Sequence, residues 1–166
     1  MDTTWWTPGV SDFYQGTELW DLSLVDPDNR RPVDFDLRRR LLSELRELSP
    51  EEIMARMDDG LPKLWVIYKA LELGKQLPEI FGSGDYRPLN VLGQKAGHVV
   101  AFLPGEKFGA VVPRLLLTLN GEWQDTWLEM PKGQWHNHLT GDRFKGGKAM
   151  LRDILARFPV ALISKE

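Results

Sequence analysis

Between Pro8 and Phe35 the chain reads PGVSDFYQGTELWDLSLVDPDNRRPVDF, a segment that holds five aspartates, one glutamate, paired arginines and several aromatic residues. Such a mixture suits neither a core strand nor an amphipathic helix. It suits a loop that binds a polyhydroxylated ligand. Aromatic faces stack on sugar rings, while carboxylates and guanidinium groups hydrogen-bond hydroxyls with defined geometry. Asp21 and Asp26 are weaker candidates of the same kind.

Other chemistry-bearing patterns are sparse. His136 and His138 stand two apart, so on a strand they share a face and form two-thirds of a metal site, with Asp142 as the nearest further donor. The opposing reading is a pair of solvent-facing strand histidines. His98 stands alone. Trp123, Trp127 and Trp135 fit either a packed interior or an aromatic binding surface. The acid pairs Glu51-Glu52 and Asp58-Asp59 have adjacent side chains that diverge on a helix, which is no catalytic arrangement. No metal and no cofactor is expected.

The elements that must position these residues fall into two patterns. Residues 1–36 read as a short strand, Val10 to Tyr14, followed by a long polar loop whose Asp26-Pro27-Asp28-Asn29 run is a strong turn signal. Residues 34–81 read as helical. Asp34 or Asp36 can cap the first helix, whose Leu37, Leu41, Leu42, Leu45 and Leu48 recur at helical spacing, and the 38–40 arginine run reads as its solvated face. Ser49-Pro50-Glu51-Glu52 starts a second helix, which stops near Asp58-Asp59-Gly60. A third follows Pro62, with Leu64, Ile67, Tyr68, Leu71 and Leu77 as its apolar stripe and Pro78 near its end. Gly82-Ser83-Gly84-Asp85 is the boundary candidate.

Beyond it the pattern alternates. Tyr86–Leu92, Val99–Leu103, Gly109–Leu119, Thr126–Met130, Trp135–Leu139 and Val160–Ser164 read as strands, with a short helix over Met150–Ala156. The expected fold class is α+β: a helical N-terminal half, residues 1–84, followed by a small antiparallel β-sandwich, residues 85–166. A sandwich of that size is marginal alone, so it should pack on the helices.

Composition narrows the function classes. The chain has 166 residues, 42% hydrophobic and 27% charged, which reads as globular. A net charge of -3 leaves no electrostatic footprint for nucleic acid or an anionic membrane, so neither is an expected partner. The absence of cysteine excludes disulfides and thiolate metal sites. No apolar run spans a bilayer, and MDTTWW shows no basic segment followed by an apolar one, so a cytoplasmic location is expected.

The segment PGVSDFYQGTE, with Tyr14, Glu18 and Trp20 nearby, resembles the α-amylase superfamily around the eighth strand of its catalytic barrel, where the pattern is G-x-P-x-x-Y-x-G-x-E. The following LWDLSLVDPDNRRPVDF, then DDGLPKLWVIYKALEL, GEWQDTWLEMPKGQWHNHLTGDRF and ILARFPVALI, resemble the malto-oligosyltrehalose synthases from Pro8 onward. That resemblance implies an enzyme that turns the reducing-end α-1,4 bond of a maltodextrin into an α,α-1,1 bond. The chemistry would be that of a retaining glycosidase, with a carboxylate nucleophile, a general acid and a covalent glycosyl intermediate captured by the released glucose instead of water. It also implies that the first 84 residues are the end of a (β/α)8 barrel. The loop after strand eight lies at the substrate face of such a barrel, so Tyr14, Trp20, Asp28, Asn29, Arg30 and Arg31 become substrate-binding candidates. A loop-internal salt-bridge network stands beside that reading. Glu18 is assigned to holding the loop through backbone amides.

The family's three catalytic acids sit on barrel strands four, five and seven, ahead of the matching segment. None of the acids here corresponds to them, and Ser11 replaces the motif's proline. The implied role is therefore a C-terminal portion that supplies scaffold and a substrate loop, without catalytic residues and inactive alone. Its partners would be maltodextrin, the rest of the barrel, and a second copy covering the barrel-facing surface. A stand-alone carbohydrate-binding or interaction module is the alternative, and a remnant without a ligand a third reading.

Overall fold

A computed structural model describes residues 14–76 and 86–166. The expected strand over Val10–Tyr14 lies almost wholly outside the described residues. Ser11, Leu77, Pro78 and the 82–85 boundary also lie outside them, and with it the division at residue 84.

Three helices follow the loop. Helix α1, Phe35–Leu45, begins where the Asp34 carboxylate accepts the Leu37 N–H at 2.8 Å. Helix α2, Pro50–Ala55, opens on a complete capping box: Ser49 Oγ accepts from the Glu52 amide, Glu52 returns the bond to the Ser49 amide, and Pro50 takes the first turn. A 3₁₀ turn, Met57–Asp59, ends at Gly60 with φ 78°, and helix α3, Leu61–Gln76, starts at once. Pro62 therefore lies inside the first turn of α3, not ahead of it. The apolar face of α3 is also wider than a stripe. Leu61, Pro62, Leu64, Trp65, Ile67, Ala70 and Leu73 are buried, whereas Leu71 is exposed. The helix is wedged between α1, α2 and the sheet, and two contact faces need more apolar positions than one.

Seven strands follow: β1, Arg87–Pro88; β2, Val91–Leu92; β3, Val99–Leu103; β4, Phe108–Pro113; β5, Trp127–Asn137; β6, Arg143–Met150; and β7, Ala161–Lys165. All pairings are antiparallel. The sheet runs β1-β3-β4-β7-β5-β2, with β6 attached to β5. Only Leu89 and Asn90 separate β1 from β2. Leu89 N–H still bonds Ala101 in β3's ladder, at 2.9 Å, and Asn90 C=O already accepts from Glu129 in β5, at 3.0 Å. One bent segment therefore joins both ends of the path, and the sheet returns on itself as a small barrel-like ring. The α+β class holds. The expected division into two facing sheets is not seen among the described residues.

Several elements depart from the sequence pattern. The expected Gly109–Leu119 strand stops at Pro113. Leu115 then takes a left-handed conformation, φ 54°, and a helical turn covers Leu116–Leu119. The two strands expected over 126–139 are one strand interrupted by a bulge between Met130 and Gln134. Its hairpin partner β6 carries the glycine-rich RFKGGKAM and has no alternating signal. Gly146 is required there: a Cβ would sit 1.9 Å from the Pro131 carbonyl oxygen. The short helix Leu151–Ile154 and the last strand fall where expected.

The ring has two apolar sides. Inside lie Leu103, Val111, Leu128, Met130, Trp135, Ala161 and Ile163. Outside, Phe102, Phe108, Ala110, Phe158, Val160 and Leu162 join Leu41, Leu45, Ile53, Leu64, Trp65 and Leu73 in a single core shared with the helices. Trp65 Nε1–H donates to the buried Leu139 carbonyl across this junction, at 3.0 Å. Arg157 ties the same two parts at the surface, with its guanidinium on Glu51, Asp142 and the Thr140 carbonyl.

Candidate functional site

The loop 14–34 is held to the helices at several points. Leu19 is buried in the helical core. Lys63 of α3 donates to the Leu19 carbonyl at 3.3 Å. Gly60 lies so close beneath the loop that a Cβ would meet the Trp20 nitrogen at 3.1 Å, and its φ already excludes most side chains. Trp20 Nε1–H donates to the Met57 carbonyl at 2.6 Å, and Lys63 Nζ stands 5.9 Å from the indole centroid. The indole is thus fixed in place while remaining 45% exposed.

Glu18 is held by α1. It accepts from Arg38 Nε at 3.0 Å, while the same guanidinium donates to the carbonyls of Gly16 and Asp34. Among the described residues no backbone amide donates to the Glu18 carboxylate. Arg38 belongs to the arginine run read as a solvated face. Arg39 and Arg40 fit that reading, but the Arg38 side chain is only 18% exposed. Its place one turn after the N-cap was the available signal.

The DPDNRR turn is built around its own ion pairs. Asp26 pairs with Arg30, and Asp28 with Arg31. Asp28 also accepts the Leu24 amide at 2.8 Å; that bond first, and Arg31 second, hold its carboxyl below the usual carboxylate range. Asp21 is lowered in the same way by the Ser23 amide. These carboxylates are fixed as anions and hydrogen-bond acceptors, which does not suit a general acid. Asn29 Oδ1 is the one enclosed side-chain polar atom among the described residues without a hydrogen-bond partner. Tyr14 stands exposed at the head of the loop, its carbonyl accepting from Thr17. The structure therefore gathers Asp26, Asp28, Arg30 and Arg31, and carries Trp20 away to the α2–α3 corner.

A cleft of about 310 Å³ opens at that corner. Leu19, Leu37 and Leu41 supply apolar lining, and Trp20 forms part of its wall. Arg40, Arg56, Asp58 and Asp59 supply its polar groups. Arg56 is held by Glu44 and Asp59, both at 2.8 Å, and these two partners raise its already high pKa. Asp58 and Asp59 both line this cleft from a 3₁₀ turn, not from an α-helix.

The histidine pair shares a face, as the spacing requires, with rings 4.5 Å apart. His138 Nε2 lies 2.8 Å from Ser164 Oγ, and burial foremost, then His136 and Lys69, brings its pKa down to about 4. Asp142 is taken by Arg157 instead. Among the described residues no group of three His, Asp or Glu side chains could hold a metal. Trp123 and Trp135 are buried, and Trp127 is half-buried with Lys148 Nζ 5.4 Å from its ring centroid. No helix among the described residues is long and apolar enough to cross a membrane.

No protein-family model matches the chain. It is 40% identical over 160 residues to a protein of Mycobacterium tuberculosis (strain H37Rv) named as a maltooligosyl trehalose synthase, a match covering 96% of this chain and 19% of that protein. The solved maltooligosyltrehalose synthase of Arthrobacter ramosus aligns with a TM-score of 0.85 at 38% identity, covering 97% of this chain and 21% of that one. A Sulfolobus tokodaii chain titled as a hypothetical maltooligosyl trehalose synthase aligns at 0.62 and 30% identity, again over 19% of its length. This chain spans about a fifth of the relatives it matches. By sequence and by fold the chain is similar to a C-terminal segment of the longer maltooligosyl trehalose synthases.

Proposed function

We propose that the chain is the C-terminal scaffold and substrate-loop portion of a maltooligosyl trehalose synthase, the enzyme that converts the reducing-end α-1,4 bond of a maltodextrin to an α,α-1,1 bond. The observation that carries this reading is the collinear match over 96% of the chain together with the 0.85 structural agreement. In this reading residues 14–76 are the end of a catalytic (β/α)8 barrel and the chain divides near residue 84. Tyr14, Trp20, Asp28, Asn29, Arg30 and Arg31 then belong to the substrate face, and the nucleophile and general acid come from the part of the enzyme that matches no residue here. The ion pairs of the DPDNRR turn preorganise that face, since fixed donors and acceptors bind hydroxyls without first being ordered.

The loop also exposes Leu22 (94%), Leu24 (76%) and Val25 (84%). Three adjacent apolar side chains in water on one loop suit a surface that the rest of the barrel, or a second copy of the chain, would cover. A stand-alone carbohydrate-binding module is less well supported, because Trp123 and Trp135 are core residues. Incubation of the chain alone with maltopentaose tests the reading. No non-reducing product should form, and product formation would overturn the placement of the catalytic acids elsewhere.

A further inference from the structure

We infer that the cleft at the α1–α2–α3 corner is a binding site for one glucosyl unit of an α-1,4-glucan, a role no sequence motif assigned to its polar residues. The inference rests on the maltodextrin reading above for the identity of the sugar. The site itself rests on its own chemistry. Trp20 offers an exposed indole that cannot swing away, because its N–H is tied to Met57 and its backbone is pressed on Gly60. A fixed aromatic wall is what a pyranose C–H face needs, since no side-chain ordering opposes binding.

The cleft carries charges of both signs. Two guanidinium groups, Arg40 and Arg56, and two aspartates, Asp58 and Asp59, line it, and Glu44 pairs with both guanidinium groups. A phosphate would meet the carboxylates and a cation would meet the guanidinium groups, so neither ion is favoured. A neutral polyol is, because each hydroxyl both donates and accepts. Donor and acceptor capacity is also left over. Asp58 makes no side-chain hydrogen bond among the described residues, and Arg40 reaches only Glu44, at 3.8 Å. Arg56 and Asp59 are already mutually bonded and shape the rim. The volume of about 310 Å³ admits a single sugar ring, with the remainder of an oligosaccharide leaving through the open mouth.

The test is titration of the intact chain with maltotriose, read by calorimetry and by saturation-transfer NMR. Binding in the millimolar range is expected. Asp58→Asn and Arg40→Ala, both surface changes compatible with folding, should each raise Kd by roughly fivefold, and together by more than tenfold. Trp20→Ala should abolish the saturation transfer to the ring C–H protons. Absence of binding overturns the inference, as does binding that neither Asp58→Asn nor Arg40→Ala weakens. Should binding fall only with Arg31→Ala, the sugar sits on the DPDNRR turn: the cleft is then refuted while the maltodextrin reading stands.

Discussion

Replacing Trp65 with phenylalanine isolates the junction between the helices and the ring. The indole N–H of Trp65 is the donor seen for the Leu139 carbonyl, at 3.0 Å, and Leu139 is 1% exposed. Phenylalanine keeps most of the apolar contact with Phe102, Phe158 and the other shared core residues but removes that donor. A buried carbonyl left without a partner costs ~1–3 kcal/mol, and the smaller ring adds ~1 kcal/mol of lost packing. The sum is about 3 kcal/mol. For a chain of this size each kcal/mol moves the melting temperature by ~2–4 °C, so a fall of roughly 6–12 °C is expected. Differential scanning calorimetry reads it, and the variant should still melt in one transition, because the core that Trp65 joins is continuous between α3 and the ring. A shift below about 2 °C would refute the energetic role of this bond. Two separate transitions in the parent chain would refute the shared core itself.

Two further outcomes follow from particular positions. Gly146→Ala, which drives a Cβ into the Pro131 carbonyl, should destabilise by about 3 kcal/mol or more, whereas Gly97→Ala, with nothing within 4 Å, should be neutral or stabilising by up to ~1 kcal/mol; urea unfolding separates them. His138 is depressed to about 4 in the folded state against 6.5 as its ordinary value, so its contribution is present above pH 6.5 and lost as the pH falls toward 4, where only the unfolded chain takes up the proton. After allowance for the ring's partial exposure, this amounts to ~1–2 kcal/mol. His138→Gln should remove that part of the difference between unfolding at pH 7 and at pH 4.5, and an unchanged pH dependence would contradict the assignment.

The helices were legible because their signals are local. Asp34, the Ser49–Glu52 box and Gly60 act within four residues of where they stand, and each acts as its sequence suggests. The ring was not legible as a ring. Its closure depends on one bent segment, 87–92, pairing with β3 at one end and β5 at the other, and no local pattern encodes that. Strand β6 was hidden because glycine at 146 answers to a carbonyl on a neighbouring strand, and Gly147, at φ 94°, carries no alternation either. The ligand-binding candidates lie on one loop, as its turn signals suggest, but the loop does not keep them together. Trp20 parts from the DPDNRR turn because Gly60 and Met57, some forty residues later, hold it. The cleft polar groups Arg40, Arg56, Asp58 and Asp59 looked like ordinary helix-surface charges until α1, α2 and the 3₁₀ turn met.

On the proposed reading this chain is the interchangeable C-terminal portion of a maltooligosyl trehalose synthase and holds none of its catalytic acids. The most direct measurement is a chimera in which this chain replaces the matching fifth of the Arthrobacter ramosus enzyme, assayed for non-reducing product from maltopentaose. A folded chimera that forms the α,α-1,1 product, beside an isolated chain that forms none, is the predicted result. A folded but inactive chimera, or product from the isolated chain, would contradict it.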